Sequence, residues 1–344
     1  MKKILYDNQM FTFQRFGGVT RYFADLIYNL PADDFVAELP MKYCENHYVT
    51  ETYGRKYKKF SFPGNYRVRR RLYALANDCM SRHAIKHGEY DIFHPTYYNP
   101  YFIDTIKRRR KPLVLTIHDM TFERYPQEVL IYDRTIAHKK RLIAEADHII
   151  AVSECTKRDI VKDYKISPDK VTVIYQGCDP LFAKPVTPER IAEVKAKYSL
   201  PEKFIVSVGT IEERKNLLSV VKALLSLPDD VHLVAVGRRT KYTALIDKFV
   251  AENNLADRVH LLHGVPYLDL PVIYRCADVF AYMSLYEGFG IPLLEALNSG
   301  VPVVAVSCAE LAEEDIEKMA HTACHGDAHA GSFHDLFPGC SGEI

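Results

Sequence analysis

No stretch of about 18 consecutive apolar residues occurs in the sequence, so nothing in it is long enough to cross a bilayer as a helix. The amino terminus is as spare: Met1-Lys2-Lys3 is followed only by Ile4-Leu5-Tyr6 before Asp7, too short for the apolar core of a signal peptide, and the expectation is a cytoplasmic chain. An excess of one charge is also missing. The 45 Lys and Arg against 44 Asp and Glu leave a net charge of +1, unlike a protein built around nucleic acid. Cysteines stand at 44, 79, 155, 178, 276, 308, 324 and 340 with no Cys-x-x-Cys pair, which suits reduced thiols and neither a disulfide framework nor a zinc ribbon. No G-x-G-x-x-G follows the first strand and no G-K-[ST] occurs, which weighs against an oxidoreductase and a P-loop kinase. Internal repeats and coiled-coil heptads are absent too.

What is present is a chain of 344 residues, 48% apolar and 26% charged, enough for about two soluble domains. Short Val- and Ile-rich runs alternate with helical patterns, the arrangement of α/β proteins whose parallel sheets are covered by helices on both faces. The first alternation predicts strands at 3–6, 36–40, 91–94, 113–118, 148–152 and 171–175, with helices near 19–30, 68–87, 133–145 and 154–164. The Pro-bearing stretch from Phe182 to Pro188 marks a boundary, and a charged amphipathic helix follows at 188–198. A second alternation places strands at 204–208, 232–236, 259–262, 279–283 and 302–306, with helices near 216–226, 241–254, 269–276 and 291–299. The expected organisation is a Rossmann-like domain over 1–182, a linker and connecting helix over 183–200, a second Rossmann-like domain over 201–307, and an atypical tail over 308–344. Two such domains are expected to face each other across a cleft, with functional residues just after strands.

Five strand ends stand out. Gly17-Gly18 opens the helix after the first strand; glycines there either bring backbone N–H groups to an anion or simply make a turn. His118-Asp119 ends the strand at 113–117, where an imidazole can position a reacting hydroxyl or sit as a satisfied structural histidine. Ser153 reads as the N-cap of its helix. Gly209 leads to Arg214-Lys215, two cations that either neutralise a diphosphate or remain solvated. The segment Tyr286 to Ala296 joins Gly288 and Gly290 to Pro292, a residue suited to a first helical turn, with Glu287 before the turn and Glu295 on the helix. The two acids can each accept hydrogen bonds from a different hydroxyl-bearing part of one ligand, or be a loop charge and a helix-end charge.

Together these segments resemble the retaining GT-B glycosyltransferases of the large family four, which use nucleotide-diphosphate sugars. The likeness covers about residues 1–307 and is strongest in EGFGIPLLE at 287–295, a Glu-x7-Glu motif preceded by GTIEERKN at 209–216 and followed by SGVPVVA at 299–305. The resemblance implies that Gly17 and Gly18 approach the donor diphosphate and that Arg214 and Lys215 hold it, beside Gly209. It implies that Glu287 contacts hydroxyls of the transferred sugar, that Gly288, Phe289, Gly290 and Ile291 supply backbone contacts, that Glu295 binds the ribose, and that His118 lies beside donor sugar and acceptor. Fixed cations stabilise the charge developing on the leaving diphosphate, and no Asp-x-Asp occurs to hold a divalent ion, so neither metal nor cofactor is expected. The implied reaction retains anomeric configuration without a covalent enzyme nucleophile. Its implied donor is GDP-mannose, with UDP-glucose or another UDP-sugar open, and its acceptor a glycan or lipid-linked oligosaccharide of surface-polysaccharide biosynthesis.

Two features stand apart. Between Tyr53 and Tyr73 lie Arg55, Lys56, Lys58, Lys59, Arg67, Arg69, Arg70 and Arg71 with no acid, either a solvated crossover or a peripheral contact with an anionic membrane on the inner face. Only 37 residues follow Ser307, and beyond Glu313 to Ala320 they are unlike the family. A deletion or frame change there is the expectation, and the alternative function is a sugar-nucleotide-binding remnant with weak or no catalysis. His321, Cys324, His325, His329, His334 and Cys340 offer zinc ligands as an alternative, but their spacings match no zinc finger.

Overall fold

Strands buried on both faces need apolar side chains pointing both ways, and the runs Leu113 to Ile117 and Phe204 to Val208, each broken by a single small hydroxyl residue, meet that need. A computed structural model of the chain describes residues 1–55, 57, 66–126 and 132–306. It comprises two compact units, Met1–Gln176 and Gly177–Ile344. The tail from 308 lies outside the described residues, as do Lys56 and 58–65 of the basic run.

The first unit runs β1 (Lys2–Tyr6), α1 (Gln9–Phe13), α2 (Gly18–Tyr28), β2 (Phe35–Glu38), α3 (Tyr66–His87), β3 (Ile92–His94), α4 (Ile103–Arg109), β4 (Val114–Ile117), α5 (Thr121–Arg124), α6 (Tyr132–Glu145), β5 (His148–Ala151), α7 (Glu154–Tyr164) and β6 (Val171–Val173). Its strands are parallel in two groups, β2-β1-β3 and β4-β5-β6. A parallel bridge between Phe93 and Leu113 joins the groups, so the lateral order reverses direction between β1 and β3. Asp7 ties those two strand ends: its buried carboxylate accepts from the N–H of Thr96 at 2.9 Å, the Thr96 hydroxyl at 2.8 Å, Gln9 Nε2 at 2.7 Å and the Tyr101 hydroxyl at 3.1 Å.

The second unit runs α8 (Pro188–Tyr198), β7 (Phe204–Val208), α9 (Leu217–Ala223), β8 (His232–Val236), α10 (Thr243–Glu252), β9 (Val259–Leu262), α11 (Leu270–Cys276), β10 (Val279–Tyr282), α12 (Ile291–Asn298) and β11 (Val303–Ala305). All five strands are parallel in the order β11-β10-β7-β8-β9, which reverses between β7 and β10. The connecting helix α8 belongs to this unit. Its Lys197 Nζ and Tyr198 hydroxyl reach the buried Asp269 at 2.7 and 2.5 Å, and Arg190 pairs with the same carboxylate. Burial alone would raise the Asp269 pKa, but these donors hold it below the ordinary value.

Among the described residues all eleven strands lie where the alternation of the sequence puts them, to within a residue or two at the ends. The helix expected at 216–226 is shorter: Asn216 is left-handed, α9 ends at Ala223, and Leu224–Ser226 tightens into a 3₁₀ turn. Ser153 does cap α7, its Oγ accepting from the N–H of Thr156 at 3.0 Å.

Candidate functional site

Where the strand order of a parallel sheet reverses, the loops leaving the two central strands part and open a crevice at their carboxyl ends. In the second unit that point lies between β7 and β10, and Gly209, Thr210, Lys215, Tyr282 and Ser284 line it. Gly209 leaves β7 at φ 152°. A Cβ on Gly237, at the end of β8, would stand 1.7 Å from the Gly209 carbonyl oxygen, so the two strand ends meet through bare backbone.

Arg214 then links the loop after β7 to the loop after β10. Its carbonyl accepts from the N–H of Leu285 at 2.7 Å, and its Nη1 donates to the carbonyl of Tyr286 at 3.0 Å. The same guanidinium pairs with Glu212 at 2.7 Å and Glu287 at 3.3 Å, while Lys215 Nζ pairs with Glu287 Oε1. The side chain of Glu287 is 11% exposed. Burial would push its pKa up, and Lys215 and Arg214 reverse that and hold it below the ordinary carboxylate range. The cations are therefore not bare: two positive groups meet two carboxylates, and an anionic ligand must share them with Glu287 and Glu212. The motifs place each residue after its strand and show no sign of this pairing, which arises only where the two loops meet.

The glycine turn continues the site. Gly290 caps α12 at φ 95°, where a Cβ would meet Leu293 Cδ1 at 3.2 Å, and Pro292 stands in the first turn. Gly288 and Phe289 are buried beside it and Ile291 is half-buried. Glu295 lies on the inner side of α12, 6% exposed, and accepts from the Tyr274 hydroxyl at 3.2 Å. Burial, then the Glu295 charge, pushes the Tyr274 pKa far up, so the phenol stays a donor. Glu287 and Glu295 thus turn to different neighbours.

The first unit brings His118 and the Gly17-Gly18 helix together. Gly18 opens α2 with no side-chain cap, and a Cβ there would meet nothing within 4 Å. Gly17 is extended at φ 161°, and a Cβ on it would strike the Gln14 side chain at 2.1 Å. One turn on, the Tyr22 ring stands edge-to-face against His118 at 4.9 Å. His118 leaves β4 with its Nε2 buried and without a hydrogen-bond partner. Burial lowers its pKa to about 4, with Asp119 opposing and Lys139 adding to the shift, so the ring is neutral at pH 7. Beneath it His94, lowered to about 3 by burial and by His118, hydrogen-bonds Thr116 Oγ1 at 2.9 Å.

A buried lysine completes this side. Lys139 on α6 is 0% exposed and reaches the Asp119 carbonyl and Glu123 Oε2, each at 3.0 Å. Sequence reasoning missed it, since a lysine on an amphipathic helix reads as surface. Among the described residues no group of three or more His, Cys, Asp or Glu could hold a metal ion, five cysteines are free, and no helix is long and apolar enough to cross a membrane.

Residues 16–181 match the family model described as Glycosyltransferase Family 4, and residues 190–329 match Glycosyl transferases group 1, which carries the likeness past residue 307 into the tail. The chain is 29% identical over 232 residues to O-antigen chain mannosyltransferase B of Escherichia coli, covering 64% of this chain and 58% of that protein. It is 30% identical over 192 residues to O-antigen chain mannosyltransferase RfbU of Salmonella typhimurium, covering 55% and 50%. The chain therefore spans about half the length of the curated relatives it matches. Among solved structures, Anabaena Alr3699/HepE in complex with UDP-glucose superposes with a TM-score of 0.68 at 20% identity, covering 94% of this chain and 89% of that one, a likeness of fold. With both halves matched in order by the two models, and with the α/β fold of its structural neighbours, this chain belongs to the GT-B glycosyltransferases of family four.

Proposed function

We propose that the chain is a hexosyltransferase that moves a sugar, mannose from GDP-mannose as first choice, from a nucleotide-diphosphate donor to a glycan or lipid-linked acceptor of surface-polysaccharide synthesis. The observation that carries this reading is the gathering of Arg214, Lys215 and Glu287 at the strand-order reversal of the second unit. The named relatives, two of them O-antigen mannosyltransferases, support the choice of sugar.

In this reading the donor diphosphate takes over hydrogen bonds that Arg214 and Lys215 now give to Glu287, and Glu287 turns to hydroxyls of the sugar. The anomeric C–O bond to phosphate breaks with its electron pair passing to the phosphate, where the two cations stabilise the new charge. The acceptor oxygen bonds to the anomeric carbon on the face the phosphate left, and its proton passes to the leaving phosphate. His118, neutral and with Nε2 unmatched, supplies a hydrogen bond to a hydroxyl and no charge. Glu295, in a buried position beside Tyr274, is the group assigned to the ribose, and the uncapped start of α2 is the first unit's seat for an anion.

Calorimetric titration of the chain with GDP-mannose, UDP-glucose and UDP-N-acetylglucosamine, followed by turnover with and without a chelator and NMR assignment of the product anomer, tests the reading. Tightest binding of GDP-mannose and an axial, retained linkage formed in chelator are expected. Binding of none of the three would overturn it, and binding without turnover would leave a sugar-nucleotide-binding remnant.

A further inference from the structure

Tyr282 closes β10, 4% exposed, and its hydroxyl is buried without a hydrogen-bond partner among the described residues. A buried phenol O–H left unmatched is unfavourable, and folded proteins keep few such groups, so its position needs a cause. The oxygen lies under the glycine turn, where a Cβ on Gly290 would stand 3.4 Å from it, and the Lys215 ammonium lies 5.8 Å over the ring. Burial first, and then the nearby Glu287 charge, push the phenol's pKa far up, so the group keeps its proton and stays a donor. The recess it lines between the ends of β7 and β10 measures about 20 Å³. That is room for one water-sized group and not for a sugar ring. Tyr282 therefore stands beneath Arg214, Lys215 and Glu287, whose side chains keep 15, 17 and 11% exposure and meet a ligand first.

Glu287 is the group this hydroxyl can serve. In the free chain Lys215 and Arg214 are its positive partners, and Glu212 shares Arg214 from the other side. Of the titratable groups farther off, Tyr274 of α11 already donates to Glu295. A diphosphate that draws the two cations away leaves a scarcely exposed carboxylate with several lone pairs to fill, and burial then works against its charge. The Tyr282 O–H is a donor not committed elsewhere. We infer that Tyr282 is a positioning residue for Glu287: its hydroxyl, unmatched in the free chain, donates to the carboxylate once a diphosphate has taken Arg214 and Lys215, and so fixes the direction in which Glu287 meets the sugar. A hydrogen bond made only in the liganded chain adds to donor binding, and its absence costs the free chain stability. The inference rests on the transferase reading for the sugar, while the unmatched phenol and the shared cations stand without it.

The full chain and its Tyr282→Phe variant are titrated by calorimetry with inorganic diphosphate, GDP and GDP-mannose at pH 6, 7 and 8, and both are melted without ligand. Phenylalanine keeps the ring and removes the unmatched hydroxyl, so the free variant should melt no lower than the natural chain. Its affinity for all three ligands should fall about tenfold at pH 8, the loss of one hydrogen bond to a charged group. As pH falls to 6, a proton taken up by the stranded carboxylate relieves that loss, and the gap between the two chains should narrow. In a Glu287→Gln background no carboxylate remains to be held, and adding Tyr282→Phe should change affinity by less than about twofold. Equal affinity in the two chains, a gap that is the same at every pH or persists beside Glu287→Gln, or a lowered melting temperature in the Phe variant overturns the inference. So does failure of all three ligands to bind the unsubstituted chain. Diphosphate that binds and is weakened as described, while neither nucleotide binds, would instead strike the transferase reading and leave the phenol's hold on Glu287 in place.

Discussion

Lys139 Nζ donates to the main-chain carbonyl of Asp119 at 3.0 Å, so a fully buried ammonium on α6 holds the turn that directly follows His118. The same nitrogen pairs with Glu123 Oε2 at 3.0 Å, and the other oxygen of that carboxylate accepts from the Tyr164 hydroxyl at 2.7 Å. The rings of Tyr98 and Phe122 lie 5.1 and 5.5 Å from the charge. Removing one partner of a buried pair strands the other. Lys139→Met should therefore cost about 3–5 kcal/mol in urea unfolding, and adding Glu123→Gln should restore part of it. A single-variant loss under about 1 kcal/mol would show that the pair does not hold this turn.

The two buried histidines set a pH dependence of stability. In the unfolded chain each titrates near 6.5; in the folded chain burial lowers His118 to about 4 and His94 to about 3. Between those values the unfolded state binds more protons, so stability present above pH 6.5 is lost as pH falls, by up to about 1.4 kcal/mol per pH unit for each group. Urea midpoints at pH 7, 6 and 5 should fall accordingly, and less steeply in His94→Gln. Parallel slopes in the two proteins would refute the assignment. Activity should show no acid limb near 6.5 from His118, whose ring stays neutral there.

The strand pattern was legible because each strand is a short apolar run bounded by polar turns, and parallel pairing follows from the helices between them. Helices α1, α4 and α5 were not: each is under two turns and too short to show a 3.6-residue period, whereas α9 and α11, also seven residues long, fell within the longer segments expected at 216–226 and 269–276. At the site the motif located Arg214, Lys215 and Glu287 after their strands. Their mutual pairing was invisible, because it depends on Leu285 and Tyr286 of one loop meeting Arg214 of another 71 or 72 positions earlier in the chain. Lys139 and Asp7 were hidden for a different reason: a charged side chain is read as surface unless the packing around it is known.

Arg214 and Glu295 should respond differently to substitution. Arg214 spans Glu212, Glu287 and the Tyr286 carbonyl, so Arg214→Ala unties two loops and, in the proposed function, removes a diphosphate contact. Glu295→Ala leaves the Tyr274 hydroxyl unmatched in a buried place, whereas Glu295→Gln keeps an acceptor for it. Losses of about 1–3 kcal/mol in donor affinity are expected for Arg214→Ala and Glu295→Ala. Glu295→Gln should keep stability while weakening ribose binding. Calorimetry with the best donor, alongside thermal melting, separates the two effects, and unchanged affinity in both Ala variants would remove these residues from the site.

Glycines at the strand ends divide by what a methyl group would meet. At Gly18 the space is open, so Gly18→Ala should fold as the natural chain does, and any loss of donor affinity would come from the approach of the ligand. At Gly237 the added Cβ would stand 1.7 Å from the Gly209 carbonyl oxygen, a main-chain atom that yields only if β7 and β8 part at their carboxyl ends. Gly237→Ala should therefore destabilise by about 1–3 kcal/mol, the usual cost of overpacking, and should disturb Gly209 and Lys215 beside it. Gly290→Ala combines a φ of 95° with contact to Leu293 and should cost a similar amount, about 1–3 kcal/mol. Chemical denaturation of the three variants gives the ranking directly. If Gly237→Ala proved as harmless as Gly18→Ala, the close backbone contact between β7 and β8 could not be what demands glycine at that strand end.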